Sequence, residues 1–329
     1  MKNLKIVVCS ILVLSFCFVL AACGETEPKD FNASLFKIDE NAEYLYDGQS
    51  HMFEVEYDDA DLEVEILYSL DKITYKTADE MNLTGSDDEM ATYNVYFKAT
   101  AEGYNDYVSE AVVVKFVPKA VELKVGSNYT YYTSLADAVA DVETSAEIKL
   151  YDSLDLPTAV EFTKEVVLDL NGNDITLTQD TQGNGAFWVK EGGKLTINGE
   201  GVVNGLGNNP YHIAVWADGG EIIINGGTYT NKGAASEVDG NHFDVIYVKH
   251  GGLVTINGGF FSGETPRWIL NSHNTLGGTF VVKGGVFEGF DPSAANTDEP
   301  GGISNWLADG YKVETEEVDG VTYYSVVEE

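Results

Sequence analysis

Six side chains in the second half of the chain are of types that handle sugars or protons: Tyr211, His212, His242, Asp244, Arg267 and Trp268. Aromatic faces stack on sugar rings, carboxylates and imidazoles take up hydroxyls, and a lone guanidinium can fix an oxyanion. His242 and Asp244 stand two residues apart, and Arg267 follows 25 residues after His242. That grouping suits ligand contact and, with a second carboxylate, general acid–base work. All six lie in or beside four segments of unequal length: Gln179 to Gly185, Leu206 to His212, Lys232 to Asp244 and Gly263 to Arg267. What holds these segments in place decides whether their residues meet.

The holding pattern is a repeat. Asn171, Asn198, Asn225 and Asn257 each end a short alternating apolar run and precede Gly, at steps of 27, 27 and 32, and Lys283 takes the same place 26 residues on. Leu168, Leu195, Ile222, Val254 and Phe280 sit three before that position. Leu170, Ile197, Ile224, Ile256 and Val282 sit one before it, and Ile175, Val202, Tyr229, Phe261 and Phe287 four after. A Gly-Gly pair recurs upstream (Gly192-Gly193, Gly219-Gly220, Gly251-Gly252, Gly277-Gly278), preceded by another apolar stretch such as Ala186–Val189 or Val245–Val248. Period-2 runs separated by glycine corners, with no helical period, predict a solenoid with three short strands per coil. The 27-residue coils resemble the pectate-lyase-like right-handed parallel β-helix over about 145–290. In that resemblance the four asparagines form a structural ladder and the unequal segments project as loops from one side. Enzymes of that fold use paired carboxylates, or Ca²⁺ with a basic residue. A lyase for acidic sugars wants more positive charge than one Arg offers, so the reading leans away from catalysis and no catalytic residue is assigned.

Upstream, one helix is expected: Ser134 caps Leu135–Val142, with Leu135, Ala138, Val139 and Val142 on one face. It reads, within Val121 to about Thr144, as a cover for the open end of the first coil. At the far end Ile303–Tyr311 and Val321–Val326 resemble the closing motif of surface β-helix proteins, with Trp306, Leu307 and Tyr311 sealing the last coil. Residues 31–118 alternate in His51–Tyr57, Leu62–Ile66, Tyr93–Phe97 and Val112–Val117, with turns at Asp47-Gly48, Thr84–Ser86 and Glu102-Gly103. Strands about ten residues apart predict a β-sandwich. Tyr46-Asp47-Gly48, Tyr68–Asp71 and Tyr93–Tyr104 resemble the immunoglobulin-like (YDG-type) modules of bacterial surface proteins, which act mainly as spacers.

The start reads as a targeting segment. Lys2 and Lys5 precede an apolar run from Ile6 to Leu20, shorter than the roughly 20 residues a spanning helix needs. Leu20-Ala21-Ala22-Cys23-Gly24 resembles the lipobox of bacterial lipoproteins, which implies removal of 1–22, a lipid on Cys23, a tether over 23–30 and attachment at the cell surface. The organisation expected is therefore a signal peptide (1–22), the tether, an Ig-like β-sandwich (31–118) and a right-handed parallel β-helix with caps at both ends (119–329), an all-β protein.

Charge narrows the partners. The chain has 54 acidic against 19 basic residues, a formal net charge of -35, and Arg267 is its single arginine. Nucleic acid is not an expected partner, since phosphate contacts need clustered Lys and Arg. Contact with the membrane is expected through the lipid alone. No cofactor is expected: the five histidines show no zinc spacing. Asp169–Asp174 mimics the opening of a Ca²⁺ loop with Asp180 at the twelfth place, but Asp174 stands where that loop needs Gly, so the Ca²⁺ signal is weak. The functional expectation is a lipid-anchored adhesin or carbohydrate-binding protein using its loop face. The alternatives are a polysaccharide lyase or hydrolase at the same face and a passive envelope spacer.

Overall fold

A computed structural model describes residues 27–38, 42–86, 90–178, 185–205, 213–231, 244–263, 268–273, 275–296 and 303–329. The structure is nearly all β with long parallel sheets. By internal packing it divides into two units. One takes the chain up to Asp39 with Glu54–Met81 and Val95–Val112; the other takes Glu40–Phe53, Asn82–Asn94 and Val113–Glu329. The stretch 31–118, expected as one module, is thus shared between them.

In the larger unit the chain visits three sheets in rotation. The first sheet contains Ser145–Leu150, Glu165–Asp169, Lys194–Asn198, Glu221–Ile224, Leu253–Ile256 and Thr279–Val282. The second contains Leu154–Leu156, Ile175–Leu177, Val202–Asn204, Thr228–Thr230, Phe260–Ser262 and Val286–Glu288. The third contains Val160–Phe162, Gly185–Lys190, Ile213–Asp218, Ile246–Lys249 and Leu270–Ser272. Neighbours in each are parallel and in register, so alternate side chains form columns. Val166, Leu195, Ile222, Val254 and Phe280 stack in the first sheet, as do Leu168, Ile197, Ile224, Ile256 and Val282. All ten are buried in one continuous interior cluster. Tyr229, Phe261 and Phe287 stack in the second sheet, with ring centroids 5.1 and 4.8 Å apart and planes within 12°. Each such side chain contributes about 1.5–3 kcal/mol on leaving water, which no local propensity in these three- to six-residue strands matches.

The register corrects two expectations. Asn198 pairs with Asp169, not with Asn171. Asn171 lies beyond the strand, in the left-handed region at φ 50°, with its Nδ2 donating to the Leu150 carbonyl at 2.9 Å. The inward column of the second sheet runs Ile175, Val203, Tyr229, so Val202 is half-exposed rather than interior. Corner length explains both. From the ladder position to the next inward residue the chain takes six residues in the first coil (Asp169 to Ile175), five in the second (Asn198 to Val203) and four in the third and fourth. Slipping a strand by one residue exchanges its faces; slipping by two preserves them. Asn198, Asn225 and Asn257, unlike Asn171, are not in the left-handed region.

The two members of each Gly-Gly pair have different tasks. Gly192 has φ +82° with open space around it, a conformation that strains residues carrying a Cβ. Gly193 has no room: a Cβ there would lie 2.2 Å from the Phe162 carbonyl oxygen.

Both ends of the stack carry strands of reversed direction. Val121–Val125 runs antiparallel to Ser145–Leu150 and is followed by Asn128–Tyr132. The helix Leu135–Ala140 follows, capped by Ser134, whose Oγ accepts from the Asp137 N–H at a long 3.4 Å. It ends two residues short of the expected Val142, which is nonetheless buried. At the other end Val321–Glu328 runs antiparallel to Val286–Glu288 and Tyr311–Val318 packs outside it. Leu307 bridges to Val282, and Trp306 meets Phe280 edge-on at 5.3 Å.

The smaller unit holds the antiparallel pair Phe36–Ile38 with Val55–Tyr57. It also holds Glu65–Ser69, paired with 96–100, and Tyr107–Val108, paired with Lys98 and Ala99. The expected runs His51–Tyr57 and Leu62–Ile66 yield strand only from Val55 and from Glu65. Phe31, Tyr57, Phe97 and Tyr107 pack around Phe36, and Tyr104 packs on Phe31. The Lys29 N–H donates to Gly103, and its carbonyl accepts from Asn105, so the expected tether is already folded chain at Lys29.

Candidate functional site

The alternation that turns Phe187, Val189, Val215, Ala217, Ile246 and Val248 inward turns their neighbours outward on the third sheet. Trp188, Trp216 and Tyr247 are successive partners in that outer column, and Lys190, Asp218 and Lys249 occupy the next. None of the three aromatics belongs to the interior cluster. The Trp188 and Trp216 rings are parallel within 6° at 4.9 Å, whereas Tyr247 is tilted by 56° at 6.1 Å from Trp216.

Each end of the stacked pair is closed by a cation. The Lys190 Nζ lies 4.0 Å from the Trp188 centroid, and the Lys249 Nζ lies 4.1 Å from that of Trp216. The gap between the indoles is too narrow for an ammonium, so each lysine covers the face away from the other ring. The order is Lys190, Trp188, Trp216, Lys249. Carboxylates hold both cations: Glu161 accepts from Lys190 at 2.6 Å, and Asp218 lies 3.6 Å from Lys249. Asp218 also accepts from the Trp188 indole N–H at 3.1 Å and pairs with the His250 Nδ1. The Trp216 indole is different. Trp216 is 7 % exposed, and its buried Nε1 has no hydrogen-bond acceptor among the described residues.

This arrangement presents ring edges, and behind two lysines ring faces, beside neutralised charge. The Trp216 ring is 7 % exposed and the Lys249–Asp218 side chains are 19 % and 14 % exposed, so this end of the column is largely buried and its ion pair is partly desolvated.

The residues singled out in the sequence fare unequally. Cys23, Tyr211, His212, His242 and Arg267 lie outside the described residues. Asp244 and Trp268 are described and buried, at 7 % and 5 % exposed. The Asp244 backbone carbonyl accepts from Asn231 at 3.1 Å and its Oδ1 from Asn271 at 2.9 Å. They underpin the region rather than offer it a contact surface. Asn198, Asn225 and Asn257 are joined in series: the Asn225 Nδ2 donates to the Asn198 Oδ1 at 2.7 Å, and the Asn257 Nδ2 to the Asn225 Oδ1 at 2.8 Å. In the calcium-like stretch, the Asp169 Oδ1 accepts from the Asn171 N–H and the Asp174 Oδ1 from the Val202 N–H. Those carboxylate oxygens serve the backbone.

A groove of about 560 Å³ lies on the outer face of the first sheet, among Glu122, Lys124, Tyr129, Glu147, Lys149 and Asp169. Its charges satisfy one another, with Lys124 on Glu147 at 2.8 Å and the Tyr151 hydroxyl on Glu122 at 3.2 Å. The third-sheet column is the stronger candidate. Sequence reasoning treated Trp188 and Tyr247 only as parts of apolar stretches. The signal was present: Trp188 to Trp216 is 28 residues and Trp216 to Tyr247 is 31, close to the coil period, at positions flanked by inward residues.

Compared with protein families, with curated proteins and with solved structures, the chain matches none of them.

Proposed function

We propose that the chain is a lipid-anchored protein of the bacterial cell surface that binds glycans without transforming them. In this reading residues 119–329 are a right-handed parallel β-helix, 31–118 include an immunoglobulin-like spacer, and Cys23 carries the lipid. Rotation of the chain through three in-register parallel sheets supports the β-helix. Aromatic packing between short antiparallel strands supports the spacer. The lipobox and its charged and apolar approach support the anchor; among the described residues no helix is long and apolar enough to cross a membrane.

One observation carries the binding reading: the outward column Trp188–Trp216–Tyr247 on the third sheet. Trp188 and Tyr247 are half-buried on this outer face with Trp216 buried between them, and half-exposed rings flanked by polar groups engage the apolar faces and hydroxyls of sugars. In sequence, Ile213–Asp218 and Ile246–Lys249 of this sheet follow closely on the segments 206–212 and 232–244 that carry the candidate residues. Partners are accordingly host or bacterial surface carbohydrates, with the membrane reached through the lipid.

The test is a broad polysaccharide panel against the full chain in detergent. Saturable binding that is lost in Trp188→Ala and Tyr247→Ala, with the melting transition retained, supports the reading. Release of new reducing or unsaturated ends from any polysaccharide replaces it with the lyase or hydrolase alternative, and neither binding nor release leaves a spacer. Cys23→Ser tests the anchor: the chain should leave the membrane fraction.

A further inference from the structure

An asparagine followed by glycine is prone to attack its own side chain, because a residue without a Cβ leaves the next backbone nitrogen free to reach it. The chain holds six such pairs. Asn184 lies outside the described residues; Asn171, Asn198, Asn204, Asn225 and Asn257 are described. The fold treats these five differently. The Gly172 N–H donates to the Glu200 carbonyl at 2.7 Å and the Gly205 N–H to the Thr230 carbonyl at 2.8 Å, so both nitrogens are engaged. The N–H groups of Gly199, Gly226 and Gly258 have no backbone acceptor among the described residues. The side-chain amides separate these three. Asn225 and Asn257 each commit their Nδ2 to the preceding member of the ladder. Asn198 begins the ladder: its Oδ1 accepts from Asn225 at 2.7 Å, while its own Nδ2 has no acceptor among the described residues. Asn198 and Gly199 also line the groove of about 560 Å³ on the first sheet, which admits water.

We propose that Asn198 is a site of self-modification, at which the folded chain converts an asparagine to aspartate or isoaspartate. The Gly199 nitrogen attacks the Asn198 Cγ and forms a C–N bond. The Cγ–Nδ2 bond breaks, and the displaced nitrogen leaves as ammonia with the Gly199 proton. Water from the groove then opens the five-membered imide at one of its two carbonyls, giving aspartate or isoaspartate. The Asn225 Nδ2 donates to the oxygen that gains negative charge during attack, which favours that step. The Asn198 Nδ2 leaves without breaking a hydrogen bond, whereas that of Asn225 or Asn257 must break one. The product bears on the fold. Asn198 pairs with Asp169 across the first sheet, so an aspartate at 198 sets two carboxylates side by side in the groove wall. Isoaspartate adds a main-chain atom at the end of a strand whose neighbours depend on register. The change is irreversible and accumulates with the age of the molecule.

The experiment incubates the full chain in detergent at mildly alkaline pH, folded and in guanidinium chloride, and follows each Asn-Gly peptide by mass spectrometry with isoaspartate detection. Unfolded, all six pairs should convert at comparable rates, because only local sequence acts. Folded, Asn198 should convert fastest of the five described pairs. Asn171 and Asn204 should lag it by roughly tenfold, the rate factor for a hydrogen bond that must open first. Asn198→Gln keeps the amide but demands a slower six-membered ring, so the product should vanish from that peptide alone. Asn198→Asp should melt below wild type, and the aged chain should follow it in proportion to its conversion. Conversion of Asn198 no faster than that of Asn171 or Asn204 overturns the proposal, as does earlier conversion at Asn225 or Asn257. An Asn198→Asp chain that melts at or above wild type overturns the consequence drawn for the fold.

Discussion

Asn225 makes two amide bonds in the ladder, while Asn198 and Asn257 are each joined to it by one. Replacing each with Ala should therefore cost unequally. A net hydrogen bond is worth about 0.5–1.5 kcal/mol, and these amides are partly solvated, which favours the lower half of that range. Asn225→Ala should cost about 1–2 kcal/mol, and Asn198→Ala or Asn257→Ala roughly half as much. None of the three occupies the left-handed region, so no relief or gain of turn strain complicates the comparison. For a unit of this size 1 kcal/mol moves the midpoint by about 2–4 °C, so Asn225→Ala should melt roughly 2–8 °C below wild type. Urea titration and calorimetry of all three variants measure this. The pair Asn198→Ala with Asn225→Ala should be less than additive by one bond, whereas Asn198→Ala with Asn257→Ala should add, since they share no bond. Equal costs at all three positions, or strict additivity for the neighbouring pair, would refute the serial ladder.

Three further outcomes are expected. Gly193→Ala places a Cβ 2.2 Å from a backbone oxygen that cannot yield, and should abolish soluble expression or lower the midpoint far more than Gly192→Asn, which accepts the left-handed corner in open space. Burial and the hydrogen bond to Asp141 hold the Tyr132 phenol in its neutral form, pushing its pKa from 10.0 up to about 12. Because the folded value is raised, this stabilisation is complete below pH 10 and is lost as pH climbs towards about 12. Melting scans across that window should show a loss in wild type that is reduced in Tyr132→Phe. Asn171→Ala removes the bond to Leu150 and strains a φ of 50°, so it should destabilise where Asn171→Gly, which adopts that angle freely, loses less.

The columns were legible because a parallel stack repeats its inward residues at the coil length. Val254, Ile256 and Phe261 fall where the period puts them. The corners were not, because a spare residue inside a turn leaves no hydrophobic trace. Asp169 and Asn171 both flank an apolar position, and only pairing across strands shows that Asp169 faces Asn198. Trp188 was hidden by its neighbours: Ala186–Val189 reads as a solid apolar block until Phe187 and Val189 are turned inward. The bonds of Asp244 to Asn231 and Asn271 span 13 and 27 residues and involve types common in turns, so nothing local announces them. The helix was recognised by its cap and face, but its last turn yields to Asp141, whose carboxylate is occupied by the Tyr132 hydroxyl.

The reversed strands at either extremity have a consequence for assembly. A stack whose rungs all point one way could be lengthened indefinitely by a second molecule adding its own rungs, the route by which cross-β fibres grow. Here the first sheet begins, and the second finishes, in an antiparallel hairpin: Val121–Val125 with Asn128–Tyr132, and Val321–Glu328 with Tyr311–Val318. The outermost strand at the C-terminal end carries Lys312, Glu314, Glu316 and Glu317, so the edge offered to an incoming rung is a charged hairpin, a device that blunts strand addition.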